Sequence, residues 1–124
     1  METERQRASH DLQDRLIDFA VRIIQLAESV PKSRPSAHIR SQIIRCGTSA
    51  SANYAEAQSA ESRQDFVHKM KIVCKELRET EVWLHIIARA RLIMPGSRLE
   101  PLLKESNELI SIFVTSIKTA KRNG

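Results

Sequence analysis

The sequence predicts an all-α fold, an antiparallel up-down-up-down four-helix bundle made from one domain of 124 residues. Apolar residues recur at steps of three and four along nearly the whole chain, which is the period of an amphipathic helix. Alternating β-branched residues are absent, and three short breaks separate the periodic segments, the first and the last of which contain proline. These breaks delimit four helices, at about residues 9–29, 36–59, 62–91 and 97–121.

The first predicted helix, residues 9–29, has an apolar stripe formed by Leu12, Leu16, Phe19, Ile23 and Leu26. Four further apolar residues widen this stripe, namely Ile17, Ala20, Ile24 and Ala27. Pro31 ends the pattern, because proline lacks the N–H group that a helix interior needs.

The second predicted helix, residues 36–59, has a stripe that shrinks from isoleucines to alanines and serines. Small side chains let a neighbouring helix approach closely. Glycine and serine are weak helix formers, so packing must hold this segment in a helix. We expect a bend near Gly47–Ser51.

The third predicted helix, residues 62–91, opens with Ser62 and Asp65, a capping-box variant in which Asp replaces Glu. Its seam follows a strict four-three rhythm, typical of a bundle helix. The seam residues are Phe66, Met70, Val73, Leu77, Thr80, Leu84 and Ile87.

The fourth predicted helix, residues 97–121, follows a turn at Pro95-Gly96, and Ser97 is placed to cap it. Its apolar face includes Leu102, Leu109 and Phe113.

Polar residues fall near the middles of helices two and three, on faces that periodicity would partly bury. Buried polar groups are costly unless they are paired. These residues therefore form either a network that fixes helix register or a groove for a ligand or partner. The set comprises Asn53, Glu56, Lys75, Arg78, Glu79 and Glu81.

Two aromatic residues, Tyr54 and Trp83, lie one step beside the inner seams of helices two and three. Exposed aromatic rings in such positions often mark a protein interface. The alternative is that both rings close the edge of the bundle. We expect an oligomer interface that includes them.

The net charge of +5 is unevenly distributed. Residues 1–31 hold four basic and six acidic side chains, which leaves sixteen basic against nine acidic in the remainder. The excess permits a polyanion-binding face, although it could also serve solubility alone. The candidates for phosphate contacts are Arg34, Arg40, Arg89, Arg91 and Arg98, which an up-down bundle places toward one end.

Several kinds of chemistry lack their sequence signatures. There is no Glu-x-x-His pair, no G-x-S-x-G elbow and no phosphate-binding P-loop, so we expect no enzyme, metal or cofactor. Cys46 and Cys74 lie among apolar neighbours, as reduced core thiols do. Neither a membrane span nor a signal peptide is present, which predicts a cytoplasmic protein.

One segment resembles a known family. It contains Asn53-Tyr54-x-Glu56-Ala57, then Ser62-x-x-Asp65-Phe66, then Lys69, then Lys75-Glu76-x-Arg78-Glu79-Thr80-Glu81-x-Trp83-Leu84. This pattern resembles the small four-helix-bundle proteins of the 23S rRNA intervening-sequence family. Many members have proline where this chain has Ser51 and glycine where it has Ala57, so helix two should be straighter here.

The resemblance implies a bacterial, cytoplasmic bundle with no known catalytic site. A related member, the accessory variability protein of diversity-generating retroelements, forms a homopentamer with a basic surface and binds nucleic acid. By this resemblance we expect a homo-oligomer, a pentamer, that binds RNA or DNA backbone without base specificity. The alternative is an oligomeric scaffold that contacts only protein.

Overall fold

Four helices and one short 3₁₀ turn account for the described chain, residues 1–123 of this computed structural model. The helices are α1 (Glu4–Glu28), α2 (Arg34–Gln58), α3 (Arg63–Arg89) and α4 (Glu100–Arg122), and the 3₁₀ turn (Gly96–Leu99) precedes α4. The prediction of an all-α four-helix bundle is confirmed. No helix within residues 1–123 is both long and apolar enough to cross a membrane.

The helices pack in a square, in the order α1, α2, α3, α4. The α2 helix packs against both α1 and α3, and α3 packs against α4, whereas α1 and α4 meet only loosely. Within residues 1–123, the backbones of α1 and α3 do not approach each other closely, and neither do those of α2 and α4, so these pairs are the diagonals. The α1–α2 face and the α3–α4 face therefore lie on opposite sides of the bundle.

The core consists mainly of the predicted seams. Phe19, Ile43, Leu77 and Phe113 are fully buried, and Thr80 lies among them as one of three buried polar residues in the described chain. The widened stripe of the first helix is only half correct, because Ala20 and Ala27 are buried whereas Ile17 and Ile24 are exposed.

Three helix starts differ from the prediction. The α2 helix begins at Arg34, two residues earlier than expected, because the Ser33 side chain caps it. The α1 helix begins at Glu4 because Thr3 forms a full capping box with Gln6, at 3.1 Å and 2.9 Å. Ser97 does not cap α4. It lies inside the 3₁₀ turn, and α4 begins with no side-chain cap. Ser62 does cap α3 as predicted, since its hydroxyl accepts a hydrogen bond from the Asp65 N–H at 3.0 Å.

The α3 helix ends two residues earlier than expected, at Arg89, in a left-handed turn. Arg91 has φ of 55°, and the Leu92 N–H donates to the Ile87 carbonyl at 3.0 Å. This is the hydrogen-bond pattern of a Schellman motif, in which glycine usually occupies the left-handed position. The motif turns the chain toward α4.

Candidate functional site

A polar cluster joins α2 to α3 along their shared edge. Arg45 forms ion pairs with Glu76, at 3.2 Å, and with Glu79. The Ser49 hydroxyl donates to Glu76 at 3.0 Å, and the Trp83 indole N–H donates to Glu79 at 3.2 Å. Charge pairs that are this exposed contribute little stability, so the cluster acts mainly on the register of the two helices.

Only part of the predicted polar network belongs to this cluster. Glu79 and Trp83 belong to it. The Asn53 side-chain amide instead donates to the Ser49 carbonyl of its own helix, at 2.9 Å. Glu56 is exposed and pairs with Lys69 at 3.1 Å. Glu81 keeps one carboxylate oxygen buried without a hydrogen-bond partner in residues 1–123. The prediction of one network through these residues is wrong.

Lys75 and Arg78 are also misplaced in that prediction. Both are exposed on the flank of α3 that faces α4, whereas Glu76 and Glu79 face α2. Successive helical residues are rotated by about 100°, so the neighbours of a clustered residue in sequence point elsewhere. The within-helix pairs Lys75–Glu79 and Arg78–Glu81 are not ion-paired in the described chain.

Tyr54 is a core residue, so the expectation that it is exposed is wrong. It is 3% exposed, and its ring meets Phe113 edge-to-face with centroids 5.5 Å apart. Burial raises the pKa of its hydroxyl. The ring shares the inner face of α2 with Ala50 and Ala57, and these small residues leave room for it. Trp83 is half-buried and lies beside His38 at 5.9 Å, which leaves its interface role a prediction.

The five candidate arginines lie at one end of the bundle, where α1 joins α2 and α3 joins α4. We call this surface the basic end. Arg40 is half-buried and donates to the Pro31 carbonyl at 2.5 Å. The exposed members are Arg34, Arg89, Arg91 and Arg98. Within residues 1–123, none of the five is among the ion-paired arginines, which are Arg15 and Arg45.

A second basic surface, which the sequence analysis missed as a site, runs between α3 and α4. We call it the α3–α4 groove. Its volume is about 430 Å³, with a floor of Cys74, Val114 and Ile117. Its walls are entirely cationic, formed by Lys71, Lys75, Arg78, Lys118 and Lys121. The sequence feature that could have revealed this groove is the i, i+4, i+7 spacing of Lys71, Lys75 and Arg78 on α3.

Positive charge is uncompensated along this groove. The neighbouring Lys71 ammonium lowers the pKa of Lys121, because two like charges close together disfavour the charged form. No acidic side chain lines the groove among the described residues.

The opposite side of the bundle carries an exposed apolar patch, here called the α1–α2 face. Its members are Ile17 at 45% exposure, Val21 at 46%, Ile24 at 39% and Ile44 at 36%. The three residues on α1 are spaced four and three apart, so they share one side of that helix. A contiguous apolar patch on a water-soluble surface commonly marks a protein contact.

A larger cleft opens at the other end of the bundle, where α1 and α4 diverge. It measures about 880 Å³, with Tyr54, Phe66 and Met70 in its lining. Arg5 and Arg63 stand at its rim, and its lining contains neither histidine nor cysteine. Across residues 1–123, no group of three or more His, Cys, Asp or Glu side chains is placed to hold a metal ion.

Comparisons with known proteins agree with this architecture. Residues 9–115 match the family described as 23S rRNA-intervening sequence protein. The chain is also similar to the crystal structure of a protein with unknown function from the S23 ribosomal protein family of Bacteroides thetaiotaomicron. The two are 36% identical over 86% of this chain and 98% of that chain, with a TM-score of 0.79. No curated protein matched the chain.

Proposed function

This chain belongs to the 23S rRNA-intervening sequence protein family, and from that premise we propose that it is a non-enzymatic homo-oligomer that binds nucleic-acid backbone. It acts as an accessory factor in the bacterial cytoplasm. The observation that carries the proposal is the basic end, whose exposed arginines have no carboxylate partner among the described residues. Arginine presents five N–H donors in a planar fork that matches phosphate oxygens.

The aromatic residues support backbone contact rather than base recognition. Phe19, Phe113 and Tyr54 are buried, so they cannot stack on bases. Phe66 lines the cleft at the opposite end of the bundle, and Trp83 is half-buried with its ring edge-on to His38 and its indole N–H donated to Glu79, so neither ring forms an open stacking platform. Binding through phosphates alone carries no direct base specificity.

RNA is the favoured class of nucleic acid. The family name refers to 23S rRNA, and the name of the solved relative's family refers to a ribosomal protein. The basic end consists of the ends of α1 and α3, the starts of α2 and α4, and the two connections between them. Such a surface suits a structured RNA or a duplex, which is recognised largely by shape and phosphate position.

The test is fluorescence anisotropy of a labelled structured RNA and a labelled duplex DNA, at low and at physiological salt. We expect affinity to fall steeply with salt, because each neutralised duplex phosphate contributes about −0.9 to the logarithmic slope. The variant R34E/R89E/R98E should lose at least about tenfold in affinity, since it reverses three phosphate contacts. Arg40 and Arg91 are left intact because both have backbone roles.

The matched control is R7E/R63E/R122E, which makes the same charge change at exposed arginines elsewhere on the bundle. It should retain most of the affinity. Equal losses in both variants would mean that only net charge matters. Absence of wild-type binding at low salt would remove the nucleic-acid role.

A protein-only scaffold is the second candidate, and the α1–α2 face favours it. Four exposed apolar residues in one patch are a feature that phosphate binding does not require. Salt separates the two candidates, because contacts through apolar surface persist at salt concentrations that release phosphates.

A further inference from the structure

We infer that copies of this chain assemble head-to-tail, with the α1–α2 face of one copy packed on the α3–α4 groove of the next. This deepens the oligomeric part of the proposed function by naming the two surfaces. They lie on opposite sides of the bundle, because the helices pack in the order α1, α2, α3, α4, with α1 and α3 on one diagonal and α2 and α4 on the other. Contacts of this kind are heterologous, so every copy uses both surfaces.

The two surfaces are complementary in their apolar parts. Ile17, Val21 and Ile24 project from one, and the other offers a floor of Val114 and Ile117. Above the groove, α3 exposes two more apolar residues, Val82 at 56% and Ile86 at 37%. Burial of apolar surface is the main favourable term in association, and each surface leaves such area open to water in a single chain.

The apolar parts also lie at matching heights. Gly47 packs against Ile23, and the adjacent Cys46 accepts a hydrogen bond from Thr80 at 3.2 Å, so Ile23 and Thr80 share one level of the bundle. The α1 and α3 helices run in the same direction. When two copies stand side by side with parallel axes, Val21 and Ile24 of one therefore face the Arg78–Val82 stretch of the other.

Charge provides the third match. Asp14 and Asp18 are exposed on α1, nine and five residues before Ile23. Lys71 and Lys75 are exposed on α3, nine and five residues before Thr80, so each lysine stands at the level of one aspartate. None of these four residues takes part in an ion pair within the described chain, whereas Arg15, Arg45 and Lys69 do. A neighbouring copy supplies the missing counter-charges.

The apolar floor argues for a second copy rather than nucleic acid in this groove. A phosphate backbone would satisfy the lysines but would leave Val114 and Ile117 without an apolar partner. The α1–α2 face supplies carboxylates and isoleucines together. In such an assembly all basic ends point the same way, so their phosphate contacts act as a multivalent set.

A charge swap tests the contact in the full chain, by light scattering without nucleic acid. The variants D14K/D18K and K71D/K75D each place like charges across the contact, and each should reduce the wild-type mass toward 14.1 kDa. The chain that carries all four substitutions should recover the wild-type mass, because the pairs re-form with reversed sign. An equimolar mixture of the two double variants should also assemble beyond the monomer, because the altered surface of each variant complements the altered surface of the other.

The control, E61K/E100K, makes the same charge change as D14K/D18K at two exposed residues, one between α2 and α3 and one at the start of α4, and should keep the wild-type mass. Circular dichroism checks that every variant remains helical. A monomeric wild type, or failure of the four-residue swap to rescue assembly, overturns the inference. Loss of RNA binding by K71D/K75D at unchanged mass would assign the groove to nucleic acid instead, and the inference would again be wrong.

Assembly and nucleic-acid binding are measured separately, so their failures are distinguishable. The anisotropy of R34E/R89E/R98E reports on the basic end, and the mass of D14K/D18K reports on the contact between copies.

Discussion

Gly47 of α2 packs directly against Ile23 of α1, so closely that a Cβ atom at position 47 would lie 2.8 Å from Ile23 Cγ2. Ile23 is fully buried and β-branched, which leaves it little freedom to move aside. This contact sets the spacing of α1 and α2, the two helices that carry the α1–α2 face.

Gly47→Ala should therefore destabilise the protein, although alanine is the better helix former. The gain in helix propensity is about 1 kcal/mol, whereas overpacking a filled core costs about 1–3 kcal/mol. We expect the free energy of unfolding in urea to fall by about 1 kcal/mol or more.

The same substitution can be tested in a chain that already carries Ile23→Ala, which removes the atoms close to position 47. Ile23→Ala alone should lower the free energy of unfolding by about 2–5 kcal/mol. Adding Gly47→Ala to that variant should be neutral or stabilising. Equal costs of Gly47→Ala in both backgrounds would show that the contact is not what forbids alanine.

Glu105 should give the protein part of its stability at neutral pH. A hydrogen bond from Arg15, at 2.8 Å from Nε to the carboxylate, lowers the pKa of this carboxyl despite partial burial. A lowered carboxyl pKa stabilises the fold above the unfolded-state value of about 4.3 and loses that contribution as pH falls. The pair joins α1 to α4, the neighbouring helices that otherwise meet only loosely.

Glu105→Gln is thus expected to cost about 1 kcal/mol at pH 7, a modest value because the Arg15 side chain is 36% exposed. The difference from wild type should persist at pH 5 and shrink as the pH falls below about 4.3, measured by urea unfolding. Glu100→Gln, at an exposed residue, is the control and should show no such dependence. An undiminished cost at pH 3 would contradict the assignment.

Much of the fold could be predicted because the helical period is strong and the connections are short. Leu77 and Phe113 lie on apolar seams, so their burial could be predicted without knowing which helices pack against them. The early start of α1 was also encoded locally, in the Thr3–Gln6 capping box, and was missed because no apolar stripe accompanies it.

The polar sites were harder to predict because they depend on how helices are rotated and shifted against each other. Arg45 meets Glu76 and Glu79 only at one register of α2 on α3, which periodicity does not specify. Tyr54, one step from the seam, is buried because alanines beside it leave space. To predict the α3–α4 groove, one would have to know which helix packs beside the cationic side of α3.

The cysteines should report on the proposed contact between copies. Cys46 is fully buried, and burial raises its thiol pKa, although the hydrogen bond from the Thr80 hydroxyl opposes this. A thiol reagent should leave Cys46 unmodified until the protein unfolds, since the thiolate is the reactive form. Cys74, 7% exposed at the groove floor, should react first.

The variant D14K/D18K sharpens this experiment, because its substitutions lie on the opposite side of the bundle from Cys74. If a second copy covers the groove, this variant should label faster at Cys74 and at an unchanged rate at Cys46, with Cys74→Ser identifying the site. Unchanged labelling of Cys74 would argue that the groove is open in the wild type.

Arg91 combines a strained backbone with a place in the basic end, and two substitutions separate these roles. Its φ of 55° costs an L-residue about 1–2 kcal/mol, which glycine avoids. Arg91→Gly should therefore raise the free energy of unfolding by about 0.5–1 kcal/mol after its greater unfolded-state entropy is counted. Arg91→Ala keeps the strain and should show no such gain.

Both variants lose the same charge, so both should weaken RNA binding equally by anisotropy. Equal stabilities would show that the left-handed turn is not strained, and unchanged RNA affinity in both would remove Arg91 from the phosphate surface.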